Sequence, residues 1–261
     1  MKSFIATSLF AGLAMASPLM ERAKAQLQAR HAARQSSYFK ASKDGGFGNV
    51  TATTVESSNW SGAAIVTSGV TEVSGTFTVP KPSAPSGGSS GTEYCGAAWV
   101  GIDGYSNSAL IQTGVLWCVQ GSSYEYEGWY EYLPAALIEY SGFSVTSGNS
   151  VTVTVTKTST SGGTTTISAN GKSASHTFSG QSTKLQGASA EWIVEDFLEG
   201  NSLVPFANFG TVTFTSATAV INGATVSASA DSPVNIELES SSGSILTSTT
   251  ISGSTVTVKY V

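Results

Sequence analysis

The residues best suited to chemistry are one glutamine and two groups of carboxylates. Gln112 lies in "SALIQTGVLW", where apolar neighbours surround it in a segment typical of a buried β-strand. The carboxylates occur in "YEYEGWYEYLP", as Glu125, Glu127 and Glu131, and in "AEWIVEDFLEG", as Glu191, Glu195, Asp196 and Glu199. A side-chain amide donates and accepts hydrogen bonds without titrating, and a carboxyl shielded from water is suited to taking up and releasing a proton. An amide together with a carboxylate is therefore one pair with which this chain could do chemistry.

Strand periodicity arranges these carboxylates on defined faces. Residues two apart share a face of a strand, so Glu191, Ile193 and Glu195 lie together. Trp192, Val194 and Asp196 lie on the opposite face. By the same rule, Glu127, Trp129 and Glu131 share a face. A carboxylate among apolar neighbours must reach a cleft or be held by partners, because bare burial is costly, and partial burial raises its pKa. The other interpretation, a strand end with solvated carboxylates, fits the pattern equally well.

Other catalytic chemistries lack the residues they need. Beyond residue 54 the only histidine is His176, which we expect to be an exposed strand residue. The sequence contains no H-E-x-x-H, no cysteine pair at zinc spacing and no Gly-rich phosphate loop before a helix, so we expect no metal and no cofactor. Aspartic-protease chemistry needs two Asp-[Thr/Ser]-Gly elements, and neither is present. Glutamate, glutamine, tyrosine and tryptophan remain.

The elements that must position these residues are β-strands. From about Val55 onward, short strand-like runs alternate with turn residues. Asn170-Gly171 and Asn222-Gly223 each separate two such runs and predict two-residue hairpin turns, and the Pro-, Gly- and Ser-rich stretch 81–91 predicts a loop. Strands this frequent, with no helical period of useful length, predict an all-β fold built as an antiparallel β-sandwich or jelly roll.

The first sixteen residues have the features of a secretory signal peptide. Lys2 precedes an apolar stretch, and Ala14-Met15-Ala16 supplies a small-x-small ending. The apolar stretch is shorter than the ~20 residues of a membrane-spanning helix, and no later run approaches that length. We therefore expect a secreted, extracellular protein with no membrane partner. In an oxidising compartment the only two cysteines, Cys95 and Cys118, are expected to form a disulfide.

Charge divides the rest of the chain into a basic leader and an acidic body. Residues 1–54 hold seven of the twelve Lys and Arg residues, and the body, residues 55–261, has five lysines, no arginine and fifteen acidic residues. We interpret residues 17–54 as a propeptide that docks on the body at neutral pH and is released when carboxylates protonate; the alternative is a solvated leader without structure. An acidic body disfavours nucleic acid as a partner. Its scarcity of cations limits self-repulsion at low pH, which favours a protein that works in acid.

Six blocks of the body resemble the fungal glutamic peptidases (eqolisins). In order, they are "ESSNWSGAAI", "AAWVGIDG", "ALIQTGV", "GWYEYLP", "AEWIVEDF" and "VPFANFGTVTFT". The resemblance covers roughly residues 55–261. It implies a sandwich of two seven-stranded antiparallel sheets, similar to the concanavalin-type jelly roll, and an acid endopeptidase that hydrolyses peptide bonds in proteins. It also implies removal of an N-terminal propeptide. Because a two-aspartate site is absent, we expect pepstatin to inhibit poorly, and we expect a monomer that its own propeptide inhibits.

The resemblance also implies which residues form the site. The catalytic glutamine falls on Gln112 and the catalytic glutamate on Glu195, with Glu195 as general base and acid for a water molecule and Gln112 as oxyanion donor. Supporting roles fall on Trp60, Trp99, Asp103 and Glu131. The family often has a tyrosine where this chain has Leu133, so no hydroxyl is expected there.

Two other functions use the same residues. Glu131 and Glu195 on facing strands among Trp and Tyr would suit a retaining glycoside hydrolase. A carbohydrate-binding or cell-wall adhesive module would need only the aromatic residues, with Gln112 as a hydrogen-bonded core amide. Activity on a protein rather than a polysaccharide substrate separates these functions.

Overall fold

The computed structural model describes residues 34–37, 39–41 and 53–261, and within these residues every regular element is a β-strand. The predicted signal peptide, residues 1–16, lies outside the described residues, as does most of the predicted propeptide. The strands are β1 Arg34–Gln35, β2 Thr54–Ser57, β3 Trp60–Val66, β4 Val70–Thr78, β5 Tyr94–Ile102, β6 Ile111–Gln120, β7 Ser123–Tyr132, β8 Ile138–Glu139, β9 Ser150–Ser159, β10 Gly162–Ala169, β11 Lys172–Phe178, β12 Ser189–Glu195, β13 Leu198–Glu199, β14 Ser202–Leu203, β15 Thr211–Ile221, β16 Ala224–Ser227, β17 Val234–Leu238, β18 Thr247–Ser252 and β19 Thr255–Tyr260.

The strands form two large sheets and one small one. The site sheet has the order β2-β17-β3-β12-β5-β6-β7-β8, and the support sheet has the order β11-β10-β9-β4-β15-β19-β18, with β16 paired to β15. Pairing is antiparallel throughout, apart from the parallel pair β2 and β17. Within the described residues each large sheet has eight strands, one more than expected, because short strands such as the two-residue β8 and the four-residue β16 extend them. The small sheet joins β1, β13 and β14.

Both predicted hairpin turns are confirmed. Ala169 pairs with Lys172 across Asn170-Gly171, and Ile221 pairs with Ala224 across Asn222-Gly223. All four turn residues have positive φ, between 51° and 81°. This backbone conformation is the one that two-residue hairpins of the favoured type require and that Asn and Gly adopt most readily. No helix within the described residues is both long and apolar enough to cross a membrane.

The core has two layers. Trp192 and Val194 of β12 face the support sheet and pack with its valines, whereas Ile193 faces outward into a second cluster with Trp60 and Trp99. The predicted alternation along β12 is therefore confirmed. Strands β5 and β12 are buried at every position, because that second cluster covers the outer face of the site sheet. Polar residues on the outer face of the site sheet are therefore buried and not exposed to solvent.

Candidate active site

Glu195 ends β12, the strand between β3 and β5. Its side chain is fully buried, and it accepts one hydrogen bond on each oxygen: Oε2 from Trp99 Nε1 at 2.8 Å and Oε1 from the Ser37 amide at 3.0 Å. Burial raises the pKa of Glu195 to about 7, and the hydrogen bonds, which favour the ionised form, oppose that rise. The carboxyl is therefore poised to exchange a proton.

Gln112 lies in β6 directly opposite Glu131 of β7. Its Nε2 donates to Glu131 Oε2 at 2.6 Å, and its Oε1 has no hydrogen-bond partner within the described part of the chain. The other oxygen of Glu131 accepts the Ser36 amide at 3.3 Å. Burial, and then the charge of Glu195, raise the pKa of Glu131 well above its ordinary value. Glu131 thus holds the glutamine amide in place through this hydrogen bond.

One peptide joins the two sides of this site. The amides of Ser36 and Ser37 donate to Glu131 and Glu195 respectively. Residues adjacent in the chain have Cα atoms about 3.8 Å apart. The Gln112–Glu131 pair and the Glu195 carboxyl therefore flank the same short stretch of backbone.

Tryptophans and glycines shape the floor of the site. Trp60 and Trp99 pack edge to face with ring centroids 4.9 Å apart, and Trp60 Nε1 donates to the Ser37 carbonyl at 2.9 Å. A Cβ on Gly101 would lie 2.9 Å from the Trp99 ring, and one on Gly114 would clash with the Ala98 carbonyl and lie 2.6 Å from Trp99 Cβ. Glycine at both positions leaves the space that Trp99 needs to reach Glu195.

Residues 34–37 and 39–41, which we call the leader segment, run through the site. Its first strand, β1, pairs with β13, so that Arg34 lies opposite Glu199. Phe39 stacks on Tyr105 at 4.6 Å between ring centroids and donates its amide to the Gly104 carbonyl at 2.9 Å. Ala41 forms a β-bridge with Ser57. The leader segment is bound in an extended form, by its backbone as well as its side chains.

Arg34 anchors the N-terminal end of this segment. Its side chain is fully buried, and one terminal nitrogen lies 2.7 Å from Glu125 and 3.3 Å from Glu127. Burial raises the pKa of Glu127 to about 8; its hydrogen bond with Glu125 adds to the rise, and the positive charge of Arg34 opposes it. The basic leader and the acidic body therefore meet at a definite ion pair.

Asp103 is the expected site residue that the structure places elsewhere. Its carboxylate accepts the amides of Gln186, Gly187 and Ala188, at 2.7, 3.0 and 2.8 Å, and the side-chain amide of Asn107 at 3.0 Å. These bonds secure the loop that leads into β12, at the strand end opposite Glu195. The other five, Trp60, Trp99, Gln112, Glu131 and Glu195, come together around the leader segment.

Sequence reasoning did not single out three contributors to the site. Asn59 donates its Nδ2 to the Ser37 hydroxyl at 2.9 Å, and Ser36 and Ser37 provide the two amides between the carboxyls. Serine and asparagine are common in surface turns, so their residue types carried no signal.

The predicted disulfide is confirmed. Cys95 and Cys118 lie opposite each other in β5 and β6, and their Sγ atoms are 2.04 Å apart. Glu93 lies close to both sulfur atoms, but sulfurs joined in a disulfide offer no thiolate to a metal ion.

Comparison with known proteins places the chain in a family. The model of the Peptidase A4 family matches residues 58–260, and the chain belongs to that family, the eqolisins or glutamic peptidases. It is therefore an enzyme of the peptidase class of hydrolases. Neither a glycoside hydrolase nor an adhesive module accounts for this match.

Individual relatives extend the match over almost the whole chain. The chain is 44% identical to aspergillopepsin-2 of Aspergillus niger over 277 residues, covering 97% of both, and 36% identical to scytalidopepsin B of Scytalidium lignicola, covering 92% of this chain and 89% of that protein. Among solved structures, scytalido-glutamic peptidase with a transition state analog inhibitor superimposes with a TM-score of 0.70 at 34% identity, covering 78% of this chain and 98% of that one. Aspergilloglutamic peptidase from Aspergillus niger gives 0.61 at 45% identity, covering 64% and 99%.

Proposed function

We propose that the protein is a secreted acid endopeptidase that hydrolyses peptide bonds through Gln112 and Glu195. The observation that carries this proposal is the position of the leader backbone, whose Ser37 amide donates to Glu195 while the preceding amide donates to the partner of Gln112. A substrate peptide in the same place would present its scissile bond to both side chains. Solved structures of relatives contain bound transition state analogs and a tripeptide, which agrees with a peptide-binding cleft.

The reaction needs only groups that this chain supplies. Ionised Glu195 takes a proton from a water molecule whose oxygen attacks the scissile carbonyl carbon, and the Gln112 amide donates a hydrogen bond to the resulting oxyanion. Glu195 then gives its proton to the peptide nitrogen, the carbon–nitrogen bond breaks, and a new carboxyl and a new amine leave. Trp99 orients Glu195 and Glu131 orients Gln112.

Substitution of the two residues tests the mechanism. Glu195→Gln and Gln112→Ala should each lower kcat for a protein substrate in acid, the second by about 10² to 10³, as for other oxyanion donors. Gln120→Ala, at the exposed end of the same strand, is the matched control for the amide and should keep wild-type activity. Circular dichroism verifies that each variant is folded. A folded Glu195→Gln variant with unchanged proteolysis would refute the mechanism, and full inhibition by pepstatin would point to an aspartic enzyme instead.

We further propose that residues 17–54 are a propeptide that inhibits the enzyme until it is removed. The leader segment fills the cleft and covers Glu195, and this burial keeps water from the base and contributes to its raised pKa. Departure of the leader would readmit water, and the pKa of Glu195 would fall toward ~4.3, the ordinary value for glutamate. Acid would weaken the ion pair between Arg34 and Glu125, because protonation removes the carboxylate charge that faces the guanidinium.

Arg34→Ala in the full chain tests the inhibition. The variant should activate sooner than wild type after a shift from neutral to acid pH, as followed by proteolysis and by N-terminal sequencing of the secreted protein. Lys24→Ala, another loss of one leader charge, is the control and should activate at the wild-type rate. Equal activation by Arg34→Ala and wild type, or a mature chain that begins at Ser17, would contradict the proposal.

A further inference from the structure

A cavity of about 720 Å³ lies beside the active site, next to the residue that follows Glu195. Its walls combine four apolar side chains, Leu203, Phe206, Leu238 and Leu246, with two carboxyls, those of Asp196 and Glu239. The loop 240–243 closes one side. The lining therefore combines an apolar surface with two carboxyl groups and with serine hydroxyls.

Asp196 is the unusual member of this lining. Only 7% of its surface is exposed, its amide donates to the Asn59 carbonyl at 2.9 Å, and its Oδ1 has no hydrogen-bond partner within the described residues. A buried carboxyl oxygen without a donor is unfavourable. An oxygen of this kind in the wall of a cavity indicates a place for a ligand that supplies the missing donor.

The path of the leader segment shows how a peptide would reach the cavity. Ser37 donates to Glu195, and Ala41, four residues later, lies at the cavity wall. Four residues of extended chain span about 13 Å. A peptide that runs through the cleft in the same direction therefore brings the fourth or fifth residue after its cleaved bond to the cavity.

We infer that this cavity is a specificity subsite for a lysine or arginine side chain on the C-terminal side of the cleaved bond. The methylene stem would pack on Leu203 and Phe206, and the cationic head would donate to Asp196 Oδ1 and face Glu239. An apolar side chain would fill the cavity but leave Asp196 Oδ1 without a hydrogen-bond donor. A glutamate would meet two carboxyls of its own sign. This assignment rests on the proposed endopeptidase function, because it concerns a substrate of that cleft.

Matched peptides test the subsite. Three quenched fluorescent peptides differ only in lysine, norleucine or glutamate at the fourth or fifth residue after the cleaved bond, which mass spectrometry locates. With the secreted, acid-processed enzyme, lysine should raise kcat/KM about tenfold over norleucine, and glutamate should lower it. Burial, and then the charge of Glu195, raise the pKa of Asp196 well above its ordinary value, and a cation bound beside Asp196 favours its ionised form. A ratio near one for lysine over norleucine would overturn the subsite. Failure to cleave even the norleucine peptide would instead refute the endopeptidase function, so the two failures are distinguishable.

Substitutions in the lining test whether the preference for lysine arises from the cavity. Asp196→Asn and Glu239→Gln should each bring the ratio for lysine over norleucine toward one. Glu237→Gln, in β17 two residues before Glu239 and outside the lining, should keep the wild-type ratio. Because Asp196→Asn adjoins Glu195 and could disturb folding, Leu203→Lys at the exposed rim gives a second measurement. It places a cation at the entrance and should remove the preference for lysine. A tenfold preference that survives Glu239→Gln and Leu203→Lys would overturn the assignment.

Discussion

The two large sheets use polar residues in different ways. In β9 of the support sheet, buried valines alternate with threonines that are half-buried or exposed. In β12 of the site sheet, all seven residues are buried, including Glu191 and Glu195. The threonine hydroxyls that alternate with these valines do not titrate, whereas Glu191 and Glu195 of β12 are carboxyls whose pKa is raised by burial. The support sheet thus keeps its polar groups in contact with water, whereas the site sheet buries carboxyl groups and raises their pKa.

The covering of the outer face produces this difference. On the site sheet, Trp60, Trp99 and Trp129 and the leader segment exclude water from the carboxyls. On the support sheet, pairs of hydroxyls such as Ser74 with Thr154 and Thr76 with Thr152 satisfy each other at a half-buried surface. We expect a substitution in a sheet with both faces covered to lower the free energy of unfolding more than a substitution in a sheet with one covered face. The following pairs of substitutions compare the two sheets.

The largest effect is expected for Gly114→Ala in the site sheet. The new Cβ would meet backbone at Ala98 and lie 2.6 Å from Trp99 Cβ, so strand spacing itself would have to change. We expect a loss of about 3 kcal/mol or more in the free energy of unfolding. Gly75→Ala in the support sheet is the control, since the nearest atom to its Cβ would be a side-chain atom of Trp192 at 3.1 Å, a tight contact that does not involve the backbone of a neighbouring strand. Urea denaturation of both variants checks the order, and equal losses would contradict it.

Asp103→Asn should cost about 2 to 3 kcal/mol, because the carboxylate accepts hydrogen bonds from three backbone amides. Asp103 has φ of 73°, a conformation that asparagine also adopts readily, so the substitution tests the side chain and not the backbone. Asp231→Asn, at an exposed residue with φ of 55°, should change stability by less than about 0.5 kcal/mol. Thermal and urea unfolding measure both, and a loss for Asp103→Asn no larger than for Asp231→Asn would show that these hydrogen bonds contribute little.

Glu191→Gln should stabilise the protein as the pH rises. Glu191 is fully buried, neither of its carboxyl oxygens has a hydrogen-bond partner within the described residues, and burial raises its pKa well above the ordinary value. The folded state therefore holds a proton that the unfolded state releases above about pH 4.3, and this costs roughly 1.4 kcal/mol per further pH unit until the folded pKa is reached. The wild type has the full stability from this group below that pH and loses it above; glutamine carries no such proton.

The measurement is urea denaturation at about pH 3 and pH 6, below and above the ordinary pKa of glutamate, in the Glu195→Gln background, which should remove self-digestion. The gain from Glu191→Gln should appear only at the higher pH. Glu72→Gln, at a half-buried position of β4 in the support sheet, is the control and should change the two values equally. A gain of the same size at both pH values would exclude a titrating Glu191.

The smallest effect is expected for Thr154→Ala in the support sheet. Its hydroxyl bonds to Ser74 at 2.9 Å on a half-buried surface, and we expect a loss of about 0.5 kcal/mol. Thr113→Ala in the site sheet removes a buried hydroxyl that donates to the Trp129 carbonyl at 2.7 Å and should cost about 1 to 3 kcal/mol. Similar losses in the two variants, measured by urea denaturation, would show that covering the outer face does not matter for a hydroxyl.

Local sequence patterns predicted the strands and hairpin turns, but they did not predict which distant strands pair. Asn-Gly turns require only φ and ψ values, so both hairpins were predicted from two residues each. Alternation of apolar and polar residues identified which side chains of β12 share a face. The pairing of β12 between β3 and β5 joins residues about a hundred positions apart, and no local pattern specifies such a neighbour. Asp103 was expected in the site because "AAWVGIDG" resembles a block of the family, but Asp103 follows the last residue of β5 and its carboxylate binds the loop that leads into β12.

The sequence by itself determined the all-β class, the two hairpin turns, the disulfide and the supply of reactive groups, because each follows from residue type and short-range spacing. Two cysteines allow a single pairing, and one amide with a few glutamates limits the chemistry. Only the tertiary structure decided that Gln112 and Glu131 lie side by side on neighbouring strands and that Glu195 meets the same stretch of peptide. The physical reason is burial. The pKa of a carboxyl depends on how far neighbouring residues exclude water from it, and those neighbours come from distant parts of the chain.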